Sequence, residues 1–153
     1  MDTKKFEEEL LSTPRQAEAH QGDQINGMLK AEIVSCDYKT MSVEMKFPVQ
    51  KWQLNRVGKL HGGIIVTMFD YCFGALTRAT SDLNFTPTIE ITTTFLKPIE
   101  STDTLIIKAS ASYKGRRITH LQGDMIIENS NKKAAMGRGI FLNEDTSKPK
   151  SKF

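Results

Sequence analysis

Asp70 sits in the middle of a segment, 61–77, that is apolar nearly all the way round, flanked by Met68, Phe69, Cys72 and Phe73. A carboxylate among such neighbours is costly unless it is paired, hydrogen-bonded or used. The same segment opens with His61-Gly62-Gly63. Glycines at a helix start leave backbone N–H groups approachable, and those groups carry partial positive charge that can hold a developing oxyanion. Each feature also has a plainer reading. Asp70 could cap a backbone group or lie on a narrow wet stripe with Thr67 and Thr77. The glycines could be a turn before a helix, and His61 a loop histidine bonded to nearby backbone.

Spacing constrains how these groups could cooperate. His61 and Asp70 are nine residues apart, which on a helix is about 13.5 Å and half a revolution. One chain cannot bring both to a single carbonyl. Two antiparallel copies of the helix, side by side, can bring Asp70 of one chain near Gly62 of the other, so the expected site is composite and the chain at least a dimer. His20 and His120 stand at no metal-ligand spacing to His61, and no metal is expected. No G-x-S-x-G elbow is present, which argues against a serine hydrolase.

The elements around this helix read as strands. Leu29, Ala31 and Ile33 alternate with polar residues, and after a turn at Asp37-Tyr38-Lys39 so do Met41, Val43, Met45 and Phe47, up to Pro48. Residues 49–60 form a loop holding Trp52, Asn55 and Gly58. Beyond the helix, alternation from Ile89 to Phe95 and the segments 103–113, 117–128 and 132–142 predict four long strands. Tight turns at Lys114-Gly115 and Asn129-Ser130-Asn131 point to an antiparallel meander. The expected fold class is α+β: a long antiparallel sheet wrapped around one buried helix. Residues 1–26 read as an N-terminal helical extension, one or two short turns around Pro14 followed by a polar loop from His20. The domain is expected over 27–145, with a flexible basic tail over 146–153.

Of 153 residues, 39% are hydrophobic and 25% charged, the balance of a globular domain large enough for a real core. No apolar run approaches the roughly 20 residues of a membrane-crossing helix, and the acidic N-terminus lacks the apolar core of a signal peptide. The expectation is a cytoplasmic protein. A net charge of +3 is too small for an extended nucleic-acid footprint. Cys36 and Cys72 form no C-x-x-C pair and are expected as free thiols.

The run Asn55-x-x-Gly58-x-x-His61-Gly62-Gly63 followed by Asp70 resembles the motif of the PaaI-like hotdog thioesterases and of the related mammalian-type acyl-CoA thioesterases. The likeness spans about residues 27–142. It implies a hotdog fold and hydrolysis of acyl-coenzyme A thioesters by a homodimer or homotetramer with sites at the dimer interface. Coenzyme A would then be part of the substrate, with no separate cofactor. By the same resemblance Asp70 would activate the water or attack directly, and Gly62 would offer its N–H to the thioester oxygen, with Gly63 beside it. Asn55 would position the water or carbonyl, His61 would hold Asn55 and its loop, and Thr88 would hydrogen-bond the water.

The chemistry is coherent on its own terms. A thioester is electrophilic and a thiolate leaves readily, so one carboxylate and one oxyanion donor could suffice. The coenzyme's phosphates would need cations, for which Lys97 at a strand end and Lys114, Arg116 and Arg117 at a hairpin are candidates, unless these are ordinary turn residues. Two other functions fit the same fold: a hydratase or dehydratase, and an acyl-CoA-binding module without turnover. The acyl group stays open among aryl-acetyl, hydroxybenzoyl and medium-chain classes.

Overall fold

The computed structural model of the chain describes residues 2–81 and 85–143. The element order is α1 (Thr3–Gln21), α2 (Ile25–Met28), β1 (Glu32–Asp37), β2 (Ser42–Pro48), a 3₁₀ turn (Lys51–Gln53), α3 (Gly62–Thr80), β3 (Thr88–Phe95), β4 (Thr104–Lys114), β5 (Ile118–Ile127) and β6 (Lys132–Leu142). Six antiparallel strands make one sheet in the order β1-β2-β4-β5-β6-β3. The α+β layout expected from the sequence is therefore the one observed, with α3 as the central helix.

Alternation builds the face that receives α3. Val43, Met45 and Phe47 of β2, Leu105 and Ile107 of β4, Leu121 and Met125 of β5 and Phe141 of β6 are all buried, while the residues between them are not. From α3 come Ile65, Met68, Phe69, Cys72, Phe73, Leu76 and Ala79. Burying one such aromatic side chain contributes about 1.5–3 kcal/mol. The approach is closest over glycine. A Cβ on Gly137 would lie 2.6 Å from Phe69 Cδ1, and one on Gly139 2.8 Å from Phe73 Cδ2. The two rings thus rest directly on the backbone of β6.

Two expectations need correction. The four later strands are not one meander: only β4, β5 and β6 run as neighbours, and β3 lies on the far side of β6. The reason is α3, which crosses the sheet and delivers the chain to the opposite edge from β2. The chain then returns past the start of α3, where Leu60 N–H bonds Ile99 C=O, before entering β4.

The second correction concerns residues 1–26. The expected N-terminal helical segment is one helix that runs through Pro14 and packs against α3 and β1. Phe6, Leu10, Thr13 and Ala17 form its buried stripe, at the four- and three-residue spacing of a helix face. The chain thus covers part of α3 itself. The polar stretch after His20 includes the short α2. The expected basic tail over 146–153 lies outside the described residues.

Candidate active site

β3 fixes the two ends of the site. At its first residue, Thr88 donates its hydroxyl to Asp70 Oδ1 at 2.7 Å. At its last, the ring of Phe95 covers Gly62, 3.4 Å from where a Cβ would stand. Seven residue steps separate these contacts, roughly 20 Å along the strand. Asp70 and Gly62 are eight residues apart on α3, about 12 Å. Within a protomer, acid and helix start are therefore well separated.

Thr88 reaches Asp70 because of a bulge. Ile91 pairs with Gly139, Thr93 with Gly137 and Phe95 with Ala135, and these glycines face α3. Strict alternation would aim Ile89, not Thr88, at the helix. The register shifts between Thr88 and Glu90, which turns Thr88 inward, opposite buried Phe141. Ile89 is left 56% exposed at the sheet edge. Re-aiming one side chain in this way is a common use of a bulge.

The helix start is organised by His61. It is the N-cap of α3, and its Nδ1 accepts the Gly63 N–H at 2.9 Å. An acceptor Nδ1 leaves the proton of the neutral ring on Nε2. The N–H groups of Ile64 and Ile65 both point to the His61 carbonyl, at 2.9 and 3.2 Å. Of the first four helix donors, only Gly62 N–H has no partner among the described residues. Gly63, expected beside the substrate, serves instead to let the imidazole close: a Cβ there would meet His61 Nδ1 at 3.1 Å.

Asn55 shapes the preceding loop. Its Oδ1 accepts from Val57 N at 3.0 Å and Lys59 N at 3.1 Å, and its backbone carbonyl accepts from Gly58 N. Gly58 takes φ 77°, where a side chain would be strained. The oxygen of Asn55 is thus committed to the turn, and only its amide N–H groups remain for a ligand. The His61 ring bonds Gly63 rather than Asn55, and His61 ties the loop through its backbone N–H to Gln53 C=O.

Asp70 is half-buried, and Thr88 is its one hydrogen-bond partner among the described residues. It opens on a cavity of about 230 Å³ lined also by Thr13, Tyr71, Arg78, Phe85 and Phe141. The wet-stripe reading holds for half of its members. Thr67 is on the open side and donates to Gly63 C=O, whereas Thr77 is fully buried against Phe73 C=O. The open stripe of α3 runs Asp70, Gly74, Arg78.

The four cations do not gather in one protomer. Lys114, Arg116 and Arg117 lie at the β4–β5 hairpin, where Lys114 is paired with Thr119 and Thr119 with Phe141, the same end as Thr88. Lys97 lies beyond Phe95, at the other end. Lys114 Nζ is bound to the Thr80 carbonyl at the end of α3. Among the described residues no three His, Cys, Asp or Glu side chains cluster closely enough to hold a metal, and no helix is long and apolar enough to cross a membrane. Both cysteines are free, and burial pushes the Cys72 thiol well above its ordinary range.

Tyr71, Arg78 and the α1 wall escaped the sequence reading. Positions 70, 74 and 78 fall at the four-residue spacing of one helix face, and Phe6, Leu10, Thr13 and Ala17 at that of another. Both signals were present, but nothing local showed that the two faces meet.

One antiparallel sheet curled over one buried helix is the hotdog arrangement. The sequence profile of the Thioesterase superfamily matches residues 57–134, and the chain belongs to that family. Solved structures share the fold. The PaaI protein from the phenylacetic acid degradation operon of E. coli is 18% identical, over 90% of this chain and 95% of that one, with a TM-score of 0.75. Thioesterase superfamily member 2 of Mus musculus is 17% identical, over 94% and 100%, with a TM-score of 0.75. A thioesterase of Haemophilus influenzae is 20% identical, over 85% and 89%, with a TM-score of 0.73. No curated protein matches the sequence.

Proposed function

We propose that the protein hydrolyses acyl-coenzyme A thioesters at two equivalent sites of a homodimer, each made by Asp70 of one chain and Gly62 of the other. The observation that carries this reading is the pair of anchors on β3. That strand is a sheet edge bearing exposed Ile89 and Phe95, an edge that folded proteins rarely leave unpaired. Antiparallel pairing with its own symmetry mate sets the Phe95 end of one chain beside the Thr88 end of the other. Gly62 travels with the first end and Asp70 with the second. The same operation brings Lys97 of one chain toward the hairpin cations of its partner, where the coenzyme's phosphates would lie.

In this arrangement the thioester oxygen accepts the Gly62 N–H, the one helix-start donor without a partner. Water attacks the carbonyl carbon while Asp70, oriented by Thr88, takes its proton. The negative charge passes to the oxygen at Gly62. Collapse breaks the C–S bond, and Asp70 returns the proton to the departing thiolate, giving free acid and coenzyme A. In the alternative course Asp70 attacks first and water cleaves the resulting anhydride. Free thiols fit a reducing compartment, and the reading places the enzyme in the cytoplasm.

The test is thiol release from a panel of acyl-CoAs by the wild type and by Asp70→Asn. A loss of about 100-fold or more upholds the base. Single turnover in ¹⁸O-water tests the second course, because label enters the Asp70 carboxylate only when water opens the anhydride at the Asp70 carbonyl. Tight acyl-CoA binding without turnover in the wild type would instead make the protein a binding module.

A further inference from the structure

Another bulge exposes an aromatic ring at the β4–β5 hairpin. The inward positions of β4 run through buried Leu105, Ile107 and Ala109 to Ala111, which pairs with buried Leu121. Strict alternation would put Tyr113 next in the core. The register instead shifts between Ala111 and Tyr113, so that Tyr113 pairs with His120 and Lys114 with Thr119. Thr119 is fully buried. Lys114 therefore takes the inward place, where its Nζ bonds the Thr80 carbonyl at the end of α3. Tyr113 is turned to the face away from α3 and left 60% exposed, the re-aiming that bulges commonly perform.

The exposed ring is nonetheless fixed. The His120 ring meets it at 73°, centroids 5.8 Å apart, a favourable aromatic geometry. It also lies against the backbone of Gly115, where a Cβ would stand 3.0 Å from Tyr113 Cε1. That backbone is itself held. Gly115 N–H bonds the Ile118 carbonyl at 2.9 Å, and the Asn143 amide donates to Gly115 C=O at 2.9 Å. A ring already ordered loses little freedom when a flat partner lands on it.

The surroundings define that partner. Arg116 and Arg117 follow at the exposed hairpin tip, at most about 14 Å away along the chain. Ser112 and His120, the neighbours of Tyr113 along and across the strands, line a groove on the outer face with Gln122. A flat heteroaromatic group joined to phosphates matches the ring, the cations and the polar edges together. The hairpin also lies at the Asp70 end of the sheet. Thr88 pairs with Phe141, Phe141 with Thr119 and Thr119 with Lys114. Those three strand spacings amount to about 14 Å, a gap that an extended pantetheine arm crosses.

We propose that Tyr113 is the platform on which the adenine base of the coenzyme stacks, the coenzyme bending over the hairpin tip so that its phosphates meet Arg116 and Arg117. This rests on the acyl-CoA thioesterase reading and carries it from the acyl end to the nucleotide end. Tyr113 binds substrate and takes no part in bond breaking.

The experiment compares an acyl-CoA with the pantetheine thioester of the same acid, which lacks the nucleotide. Tyr113→Ala should raise KM for the acyl-CoA by at least about 5-fold, the low end for stacking one base on one aromatic ring, with kcat unchanged. Both proteins should turn over the pantetheine thioester equally. Tyr113→Phe should match the wild type on both substrates, because the face of the ring and not the hydroxyl does the binding. Adenosine 3′,5′-bisphosphate reads the same contact without turnover: its Kd by calorimetry should rise in step with KM in Tyr113→Ala. An unchanged KM for the acyl-CoA in Tyr113→Ala overturns the proposal and leaves the thioesterase reading standing. So does an equal loss on the pantetheine thioester, which marks a structural role, or a Tyr113→Phe as impaired as Tyr113→Ala. A wild type inert on every thioester overturns the thioesterase reading, and the bisphosphate titration then decides on Tyr113 alone.

Discussion

Replacing Gly62 by proline removes the proposed oxyanion donor while sparing everything else the structure builds at that point. Gly62 is the first residue of α3, the helix position where proline is best tolerated because the N–H there has no intrahelical partner. His61 before it has φ −68° and ψ 134°, the region a following proline favours. A Cβ at position 62 would stand 3.4 Å from the tip of the half-exposed Phe95 ring, an ordinary contact. No hydrogen bond is lost on folding, and a stiffer unfolded chain should add about 0.4–1 kcal/mol of stability. Activity should nevertheless fall by about 100- to 1000-fold in kcat, the 2.7–4 kcal/mol typical of deleting one oxyanion donor. Thiol release and thermal melting read the two quantities. Mixing Gly62→Pro with Asp70→Asn adds a decisive arm. Random reassortment makes half the molecules heterodimers, each with one intact and one doubly defective site, so about one quarter of wild-type activity should return. A Gly62→Pro protein that melts normally and keeps more than about a third of wild-type kcat would refute the oxyanion assignment. Failure to complement, with both variants inactive and subunits exchanging, would refute the shared site.

Other outcomes follow from the same geometry. Thr88→Val keeps shape and strand preference but strips the hydrogen bond from Asp70 Oδ1; kcat should fall about 10-fold with little change in KM, the scale of one partly exposed charge-assisted bond. Gly137→Ala forces a methyl to within 2.6 Å of the buried Phe69 ring, which should cost about 1–3 kcal/mol in denaturant unfolding. Because burial raises Tyr71 from 10.0 to about 12, the unfolded chain loses its proton first. Stability should be intact below pH 10 and fall as pH climbs toward about 12, by up to roughly 2–3 kcal/mol. Alkaline unfolding of Tyr71→Phe should lack that component.

Much of this was written locally in the chain. The run His61 to Thr77 announces a buried helix because its apolar residues occupy nearly every helical position, and Gly62, Gly63 and Asp70 mark where chemistry could enter. Val43, Met45 and Phe47, or Leu105 and Ile107, declare strands by alternation alone. Such patterns depend on backbone period and need no knowledge of the neighbours. The N-terminal helix was harder to read, since Pro14 suggested a break. Its length rests on packing of Phe6, Leu10, Thr13 and Ala17, which offsets the proline.

Only the tertiary structure decided where β3 lies. Strand order is set by which faces and edges find each other across the whole chain, and α3 carries β3 past the meander to the free edge beside β6. The bulge at Ile89 then turns Thr88 onto Asp70, which strict alternation would have aimed away. Hydrogen-bond allocation was equally out of local reach: the histidine takes the Gly63 N–H, the asparagine oxygen takes the loop, and one amide, that of Gly62, is left over. The pairing of Arg78 with Glu9 joins residues 69 positions apart. Sequence period fixes which residues share a face, but which faces meet depends on a core that the whole chain must bury together.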